Sequence, residues 1–333
     1  MHRVDVAVVG GGPAGLAAAI AARLAGLTAA VLESRSPPLD QACGEGLLPS
    51  GVAALERLGV PLEGRPIRGI RWIDAGRVVE ARFRGGHGLG VRRTRLHDAL
   101  ARRAGALGAE LRFGTSVRSL DDLPPSRWIV GADGRASRVR RWVGLETARG
   151  EGARFGVRRH FEIEPWSELV EVEWGDGAEA YLTPVGAREL GVAFLADRPS
   201  KFEDALDRFP RLAERLAGAR PVSSARGAGP FPVRARRATS GSVALVGDAS
   251  GCIDPITGEG LSIAFRMALA LADAMRAGDL SRYERARRRI VARPARLNRI
   301  VLALRDRPRV RATAMRLFAA APRLLDGILS VAD

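Results

Sequence analysis

Val4-Asp5-Val6-Ala7-Val8-Val9-Gly10-Gly11-Gly12-Pro13-Ala14-Gly15 opens the chain, and the order of its parts decides the fold. A short β-branched run ends in three glycines, and an alanine-rich segment then continues to about Leu24 with the apolar content of a buried helix. Thr28 to Leu32 reads as a second buried strand closed by Glu33, so residues 4–33 predict one βαβ unit. Within it, Gly10-x-Gly12-x-x-Gly15 has the spacing that dinucleotide binding requires. Gly10 makes the tight turn, Gly12 admits a pyrophosphate to the backbone, and Gly15 lets helix and strand pack closely. The helix start, with Pro13 and Ala14, offers partial positive charge to the phosphates. Glu33, 18 residues after Gly15, stands where a carboxylate can accept from a ribose hydroxyl. A glycine turn in an ordinary α/β protein is the competing reading, and strand, helix and acid in register weigh against it. The stretch Val4 to Leu24 also has the length of a signal peptide, but Asp5 and the glycine run interrupt it.

The remaining composition excludes several classes. A chain of 333 residues, 46 % apolar and 27 % charged, is globular and buries enough surface to fold without disulfides. Its two cysteines, Cys43 and Cys252, cannot build a secreted-type framework, so a reducing cytoplasm is the expected location. No run of about 18 apolar residues free of charge exists to span a membrane. The net charge of +16 invites a nucleic-acid reading. Lys201 is the sole lysine among 53 basic residues, however, and the arginines are spread through the chain without interleaved aromatics for base stacking. Nucleic acid is therefore not an expected partner. His2, His87, His97 and His160 are scattered, so no metal site is expected. Gly247 to Gly251 reads G-x-x-S-G and fails the spacing of a nucleophile elbow.

Two further buried strands, Trp128-Ile129-Val130 before Gly131-Ala132-Asp133-Gly134 and Val243 to Val246 before Gly247-Asp248, end in Gly/Asp turns like the first. Residues 66–90 and 151–198 instead alternate apolar with polar residues, and Glu171 to Trp174 precedes the hairpin signal Gly175-Asp176-Gly177. They predict an antiparallel sheet with one wet face. From Leu261 the period is helical, punctuated by Pro294, Pro308 and Pro322. The expected organisation is an α/β, Rossmann-type nucleotide lobe (1–60, 91–150 and 238–276), an inserted antiparallel β-sheet substrate lobe (61–90 and 151–237) and a helical C-terminal tail (277–333).

Gly131-Ala132-Asp133-Gly134-Arg135-Ala136-Ser137 and Gly247-Asp248-Ala249-Ser250-Gly251 resemble the second and third motifs of the flavoprotein group that includes para-hydroxybenzoate hydroxylase and geranylgeranyl reductase. Arg93-Thr94-Arg95-Leu96 matches the Arg-x-x-Leu pattern before the corresponding helix of that group. Cys43-Gly44-Glu45-Gly46-Leu47 and Asp254-Pro255-Ile256-Thr257-Gly258-Glu259-Gly260-Leu261 look specifically like the geranylgeranyl reductase branch. The resemblance implies FAD as cofactor. The residues that would hold it are Gly10, Gly12, Pro13, Ala14 and Gly15 at the phosphates, and Glu33, Ser34 and Arg35 at the adenosine. Cys43, Gly44, Arg93, Asp133, Gly134, Gly247, Asp248, Pro255, Gly258, Gly260 and Leu261 complete the set. Asp248 matches an acid that holds a ribityl hydroxyl, and Gly258 and Gly260 strip a helix start so that its amides face the flavin pyrimidine.

Cys43 and Glu45 are the candidate catalytic residues, both in a loop that the resemblance places over the flavin. Glu45 is the candidate proton donor, and Cys43 with Cys252 the candidate redox pair. The expected activity is an FAD-dependent oxidoreductase that reduces a C=C bond of a lipophilic or conjugated small molecule. The alternatives are an NAD(P)H-dependent flavin monooxygenase acting on an aromatic, polyketide or isoprenoid substrate, and a non-catalytic Rossmann binding protein. No second Gly-x-Gly-x-x-Gly is present, so NAD(P)H would bind only transiently as electron donor. In the tail, Ile290, Ile300, Leu304, Leu317, Leu324 and Leu325 alternate with arginines. This stripe is expected to pack on the body, with weak peripheral attraction to anionic membranes as its alternative.

Overall fold

The computed structural model describes residues 3–147 and 152–320. Strand β1 (Val4–Val9) is buried along nearly all its length because helices cover both faces of its sheet, and helix α1 (Pro13–Leu24) follows the glycine turn. Strand β2 (Ala29–Glu33) pairs parallel with β1, as the βαβ pattern predicts. The sheet runs Thr239–Ser240, Val243–Leu245, Ser126–Gly131, β1, β2, Glu110–Phe113, and every pair but the first is parallel. Chain order reverses at β1, whose neighbours are β2 on one side and Ser126–Gly131 on the other. That reversal opens a crevice at the carboxyl ends of the strands, the position where open α/β sheets bind ligands.

The alanine-rich α1 lies against the helices Gly260–Arg276 and Arg93–Ala106. Leu16, Ile20, Leu100, Phe265 and Leu271 are buried there, and the small faces of α1 permit the close approach. Val117, Val139, Leu145 and Leu245 fill the opposite layer. At about 25 cal/mol per Å² of apolar surface, this two-sided burial is the main stabilising term of the lobe.

A second sheet runs Arg220–Pro221, Arg154–Glu162, Glu189–Ala196, Ala178–Gly186, Val170–Trp174, Gly69–Asp74, Arg77–Arg82, with Arg226–Phe231 also paired to Arg154–Glu162. The predicted hairpin around Gly175 to Gly177 is present. Two expectations change. One strand pair, Val170–Trp174 with Gly69–Asp74, is parallel, because it joins two segments inserted at separate points of the chain. Neither face of the central strands is wet. Phe194, Phe202, Phe209 and Leu212 cluster on one side under two short helices, and the other side faces the crevice.

Pro294 does not end a helix, as its position suggested, but lies buried inside Leu280–Arg305. A proline inside a helix removes one hydrogen bond. Here both halves are anchored separately: Tyr283 Oη donates to the Leu245 carbonyl at 2.6 Å, and Asn298 Nδ2 to the Asp254 carbonyl at 2.6 Å. A last described helix, Pro308–Ala320, packs on Arg77–Arg82. Among the described tail residues, Ile290 is buried, Ile300 and Leu304 line the crevice, and Ile300 and Leu317 are largely exposed. Pro322, Leu324 and Leu325 lie outside the described residues. No helix among the described residues is long and apolar enough to cross a membrane.

Candidate active site

The crevice deepens into a cavity of about 830 Å³ that runs from the β1 turn to the tail helices. At the turn, Gly10 has φ +106°, and a Cβ there would meet the Ala132 carbonyl oxygen at 2.5 Å. Gly15 faces the same limit, its Cβ falling 1.9 Å from the Gly10 oxygen. Gly12 differs: its φ of −70° suits any residue, and the single atom a Cβ would approach is Arg93 Nη2 at 3.9 Å. So Gly10 and Gly15 serve packing, while Gly12 keeps space open above the helix start.

No side chain caps α1, and its first turn carries no acid. The helix Gly260–Arg276 likewise has no side-chain cap. Two helix N-termini thus present unpaired amides to one cavity, an arrangement that favours an elongated ligand carrying negative charge. A dinucleotide fits this: glycine backbone and amide donors for its phosphates, a carboxylate at the end of β2 for its ribose.

Glu33 Oε2 accepts from the Gly11 amide at 2.8 Å, and its Oε1 from Arg35 Nε at 2.9 Å. Burial would raise this carboxyl, but the hydrogen bonds from Arg35 and Gly11 outweigh it and hold it below the usual range. His97 Nε2 lies 3.1 Å from the Gly11 carbonyl, so a ring N–H there donates to it and the glycine loop is held from both sides. Nothing in the spacing of the histidines revealed that role.

Ser34, Arg35, Cys43, Gly44, Glu45, Arg93, Asp133, Gly134, Gly247, Asp248, Pro255, Gly258, Gly260 and Leu261 all line the cavity with Gly10, Gly12, Pro13, Ala14 and Glu33; Gly15 does not, being packed behind them. Asp133 accepts from the Arg138 amide at 2.6 Å and from Ser137 Oγ, so its carboxylate closes the turn into a short helix. Burial pushes the Asp248 carboxyl up, and Arg135, Arg93 and Arg140 offset this only in part. Burial also lowers Arg93, which Cys43, Asp248 and Glu45 surround.

Cys43 and Cys252 are free thiols. Burial pushes Cys43 up despite Arg93, and pushes Cys252 up to about 12. Both therefore stay protonated near neutral pH, which is the opposite of an activated nucleophile. Glu45 takes a positive φ of 57° and is buried. Its Oε1 accepts from the Arg93 amide at 2.7 Å, and its Oε2 meets His160 Nε2. His160, 115 residues away, was not legible as a partner of this loop.

Beyond the loop the cavity wall becomes apolar. Trp72, Phe83 and Trp174 line it from the second sheet, and Val301, Leu304 and Met315 from the tail helices. The loop Asp254–Gly258 also lines the cavity. Arg154 Nη1 donates to Asp254 Oδ1 at 2.9 Å and pairs with Glu179, and Arg305 Nε donates to Glu179 Oε1 at 2.9 Å. This buried network ties sheet, loop and tail together.

Comparison with known proteins gives this geometry its chemistry. The FAD binding domain family matches residues 3–123. The chain is 29 % identical over 330 residues to the menaquinone reductase of Mycolicibacterium smegmatis, covering 85 % of this chain and 79 % of that protein. It superposes on the anhydrotetracycline hydroxylase of Streptomyces rimosus with a TM-score of 0.78 at 26 % identity, over 100 % of this chain and 76 % of that one. It is also 30 % identical over 316 residues to the digeranylgeranylglycerophospholipid reductase of Methanothrix thermoacetophila, covering 83 % of this chain and 80 % of its relative. A cavity built to hold an anionic dinucleotide and a full-length match of this kind agree, and the chain belongs to the digeranylgeranylglycerophospholipid reductase family of FAD-dependent oxidoreductases.

Proposed function

We propose that the protein passes two electrons from reduced FAD to a C=C bond of a lipophilic, isoprenoid-like substrate, saturating it. The observation that carries this reading is the division of the cavity. One end is glycine and amide backbone, and the other is a wall of tryptophan, phenylalanine and aliphatic side chains. FAD, when bound, supplies the electron pair. The chain would position the reactants: the amides above Gly12 would hold the phosphates, Glu33 the ribose and Asp248 a ribityl hydroxyl, and the amides at the start of Gly260–Arg276 would serve the flavin ring. A helix N-terminus stabilises nearby negative charge by about 0.3–1 kcal/mol, which favours the reduced cofactor. Trp72, Trp174, Val301 and Leu304 exclude water from the reacting end. Saturation needs one proton for each hydride, and the protonated Cys43 thiol keeps one at Sγ in the loop beside the cavity, with Glu45 behind it. NAD(P)H is the candidate reductant of FAD. The names of the relatives support a lipophilic substrate.

The test is anaerobic. Enzyme reduced with dithionite is mixed with menaquinone or a polyprenyl lipid, any quinol is reoxidised after quenching, and mass spectrometry is expected to find product that remains heavier by two hydrogens, gained at a C=C bond. The likeness to an anhydrotetracycline hydroxylase favours a second reading, oxygen insertion. Alkenes left untouched under nitrogen, with hydroxylated product once air is admitted, would replace the first reading by the second.

A further inference from the structure

The strand Arg154–Glu162 sends Arg158 and His160, two residues apart, to the same face of the second sheet. Opposite them the neighbouring strand carries only Ala193 and Gly191, so that face has room for long side chains. A Cβ at Gly191 would lie 3.5 Å from Glu45 Oε2 and 3.6 Å from His160 Cδ2. Through this gap the sheet holds the Cys43 loop at four points. Arg158 Nη2 pairs with Asp40 and donates to the Gln41 carbonyl at 2.9 Å. Thr183 Oγ1 donates to the Gly44 carbonyl at 2.7 Å. His160 Nε2 meets Glu45 Oε2, and Arg158 Nη2 stands 3.7 Å from Glu45 Oε1.

The hydrogen bonds fix where the imidazole proton is. Arg158 Nη1 lies 3.1 Å from His160 Nδ1, and a guanidinium can only donate. Ser223 Oγ lies 2.8 Å from the same nitrogen and already accepts the His160 amide at 3.1 Å, so its hydroxyl proton is free to point at Nδ1. Nδ1 is therefore the acceptor, and the ring proton sits on Nε2, aimed at the Glu45 carboxylate. Glu45 in turn has a left-handed backbone, which is strained for a residue with a side chain unless its surroundings hold it there.

We propose that His160, oriented by Arg158 and Ser223, is a positioning residue: its Nε2–H holds Glu45 in that conformation and so keeps the Cys43 thiol in place over the flavin site. The proposal rests on the reading above only for the placement of Cys43 beside the reacting face. His160 does not line the cavity and acts through Glu45.

The test reads the loop, not turnover. Full-length protein, with FAD and stripped of it, is treated with iodoacetamide, and Cys43 modification is followed by peptide mass spectrometry. His160→Ala is expected to speed Cys43 alkylation about tenfold in the stripped protein, the change in local opening that loss of one charge-assisted hydrogen bond brings. His160→Gln, whose amide reaches the Nε2 position and donates, is expected to restore a rate within about threefold of the parent. An unchanged rate in His160→Ala, or His160→Gln as loose as His160→Ala, would overturn the proposal. Should His160→Ala not fold, Ser223→Ala decides: a rise of about threefold supports the proposal and no rise refutes it. Because no substrate is present, a stiff loop combined with absent reductase activity would refute the proposed reaction and leave this assignment standing.

Discussion

Replacing Gly12 by alanine should separate ligand binding from folding, because the three motif glycines meet different surroundings. At Gly10 a Cβ would sit 2.5 Å from a backbone oxygen with φ at +106°. Backbone strain alone costs about 1–3 kcal/mol there, before the strands are forced apart. At Gly12 the backbone is ordinary and the space is open. Exchanging glycine for alanine at an N-cap costs about 1 kcal/mol. The flavin-free Gly12→Ala protein should therefore melt close to the parent, whereas flavin-free Gly10→Ala should melt well below it.

Affinity for FAD should fall in both. The added methyl projects where the pyrophosphate must approach the α1 amides, and losing two charge-assisted hydrogen bonds costs at least about 3 kcal/mol. That is a weakening of roughly 100-fold or more. Flavin-fluorescence quenching measures the dissociation constant, and calorimetry the melting of the stripped protein. Gly12→Ala binding FAD within about threefold of the parent would refute the placement of the phosphates. A Gly12→Ala protein as unstable as Gly10→Ala would refute the division of roles.

Three other perturbations follow from the same geometry. Arg154→Met leaves Glu179 and Asp254 buried without their shared guanidinium, and urea unfolding should show a loss of about 3–5 kcal/mol. Because burial holds the Cys43 thiol above its ordinary value of 9.0, the reactive thiolate is scarce at neutral pH. Alkylation should speed up with a midpoint above pH 9.0, Cys252 staying slower at every pH with its value of about 12, and a Cys43 midpoint below 9.0 would contradict the burial argument. Val301→Asp places a charge in the apolar wall and should weaken binding of a menaquinone by about tenfold or more while leaving FAD affinity unchanged, which equilibrium titration of each ligand checks.

The nucleotide lobe was legible because its signals are local. The glycine turn, α1 and Glu33 fall within about 30 consecutive residues, and each requirement is met by a residue type at a fixed offset. The candidate site residues converge because every Gly/Asp turn follows a strand of one parallel sheet, so finding the strands places the turns at one edge. What the sequence hid depends on pairing between distant segments. His160 looked scattered because its partner is 115 residues away on another lobe, and only the register of Arg154–Glu162 against Glu189–Ala196 places it over a glycine. Pro294 misled because a local rule for helix ends was overridden by two tertiary anchors, Tyr283 and Asn298. The wet face was wrong for a related reason: alternation in sequence records polarity, but Arg154, Arg158, His160 and Glu179 are polar residues pointing inward.

Those inward residues also change the meaning of the arginine surplus. Spread through the chain, the arginines read as compositional bias with no particular target. Inside the fold, Arg154 joins the second sheet to the Asp254 loop, Arg158 joins it to the loop before Cys43, and Arg140 holds the Ala249 and Arg135 carbonyls at 3.0 and 2.7 Å. Each spans two or more acceptors at once, carboxylates and backbone carbonyls together, which the forked guanidinium can do and a lysine ammonium does less well. Around the cavity, directional bridges from buried arginines add to the packing of Trp174, Leu195 and Ile256 against the tail. These bridges tie the second sheet to the loops that line the cavity.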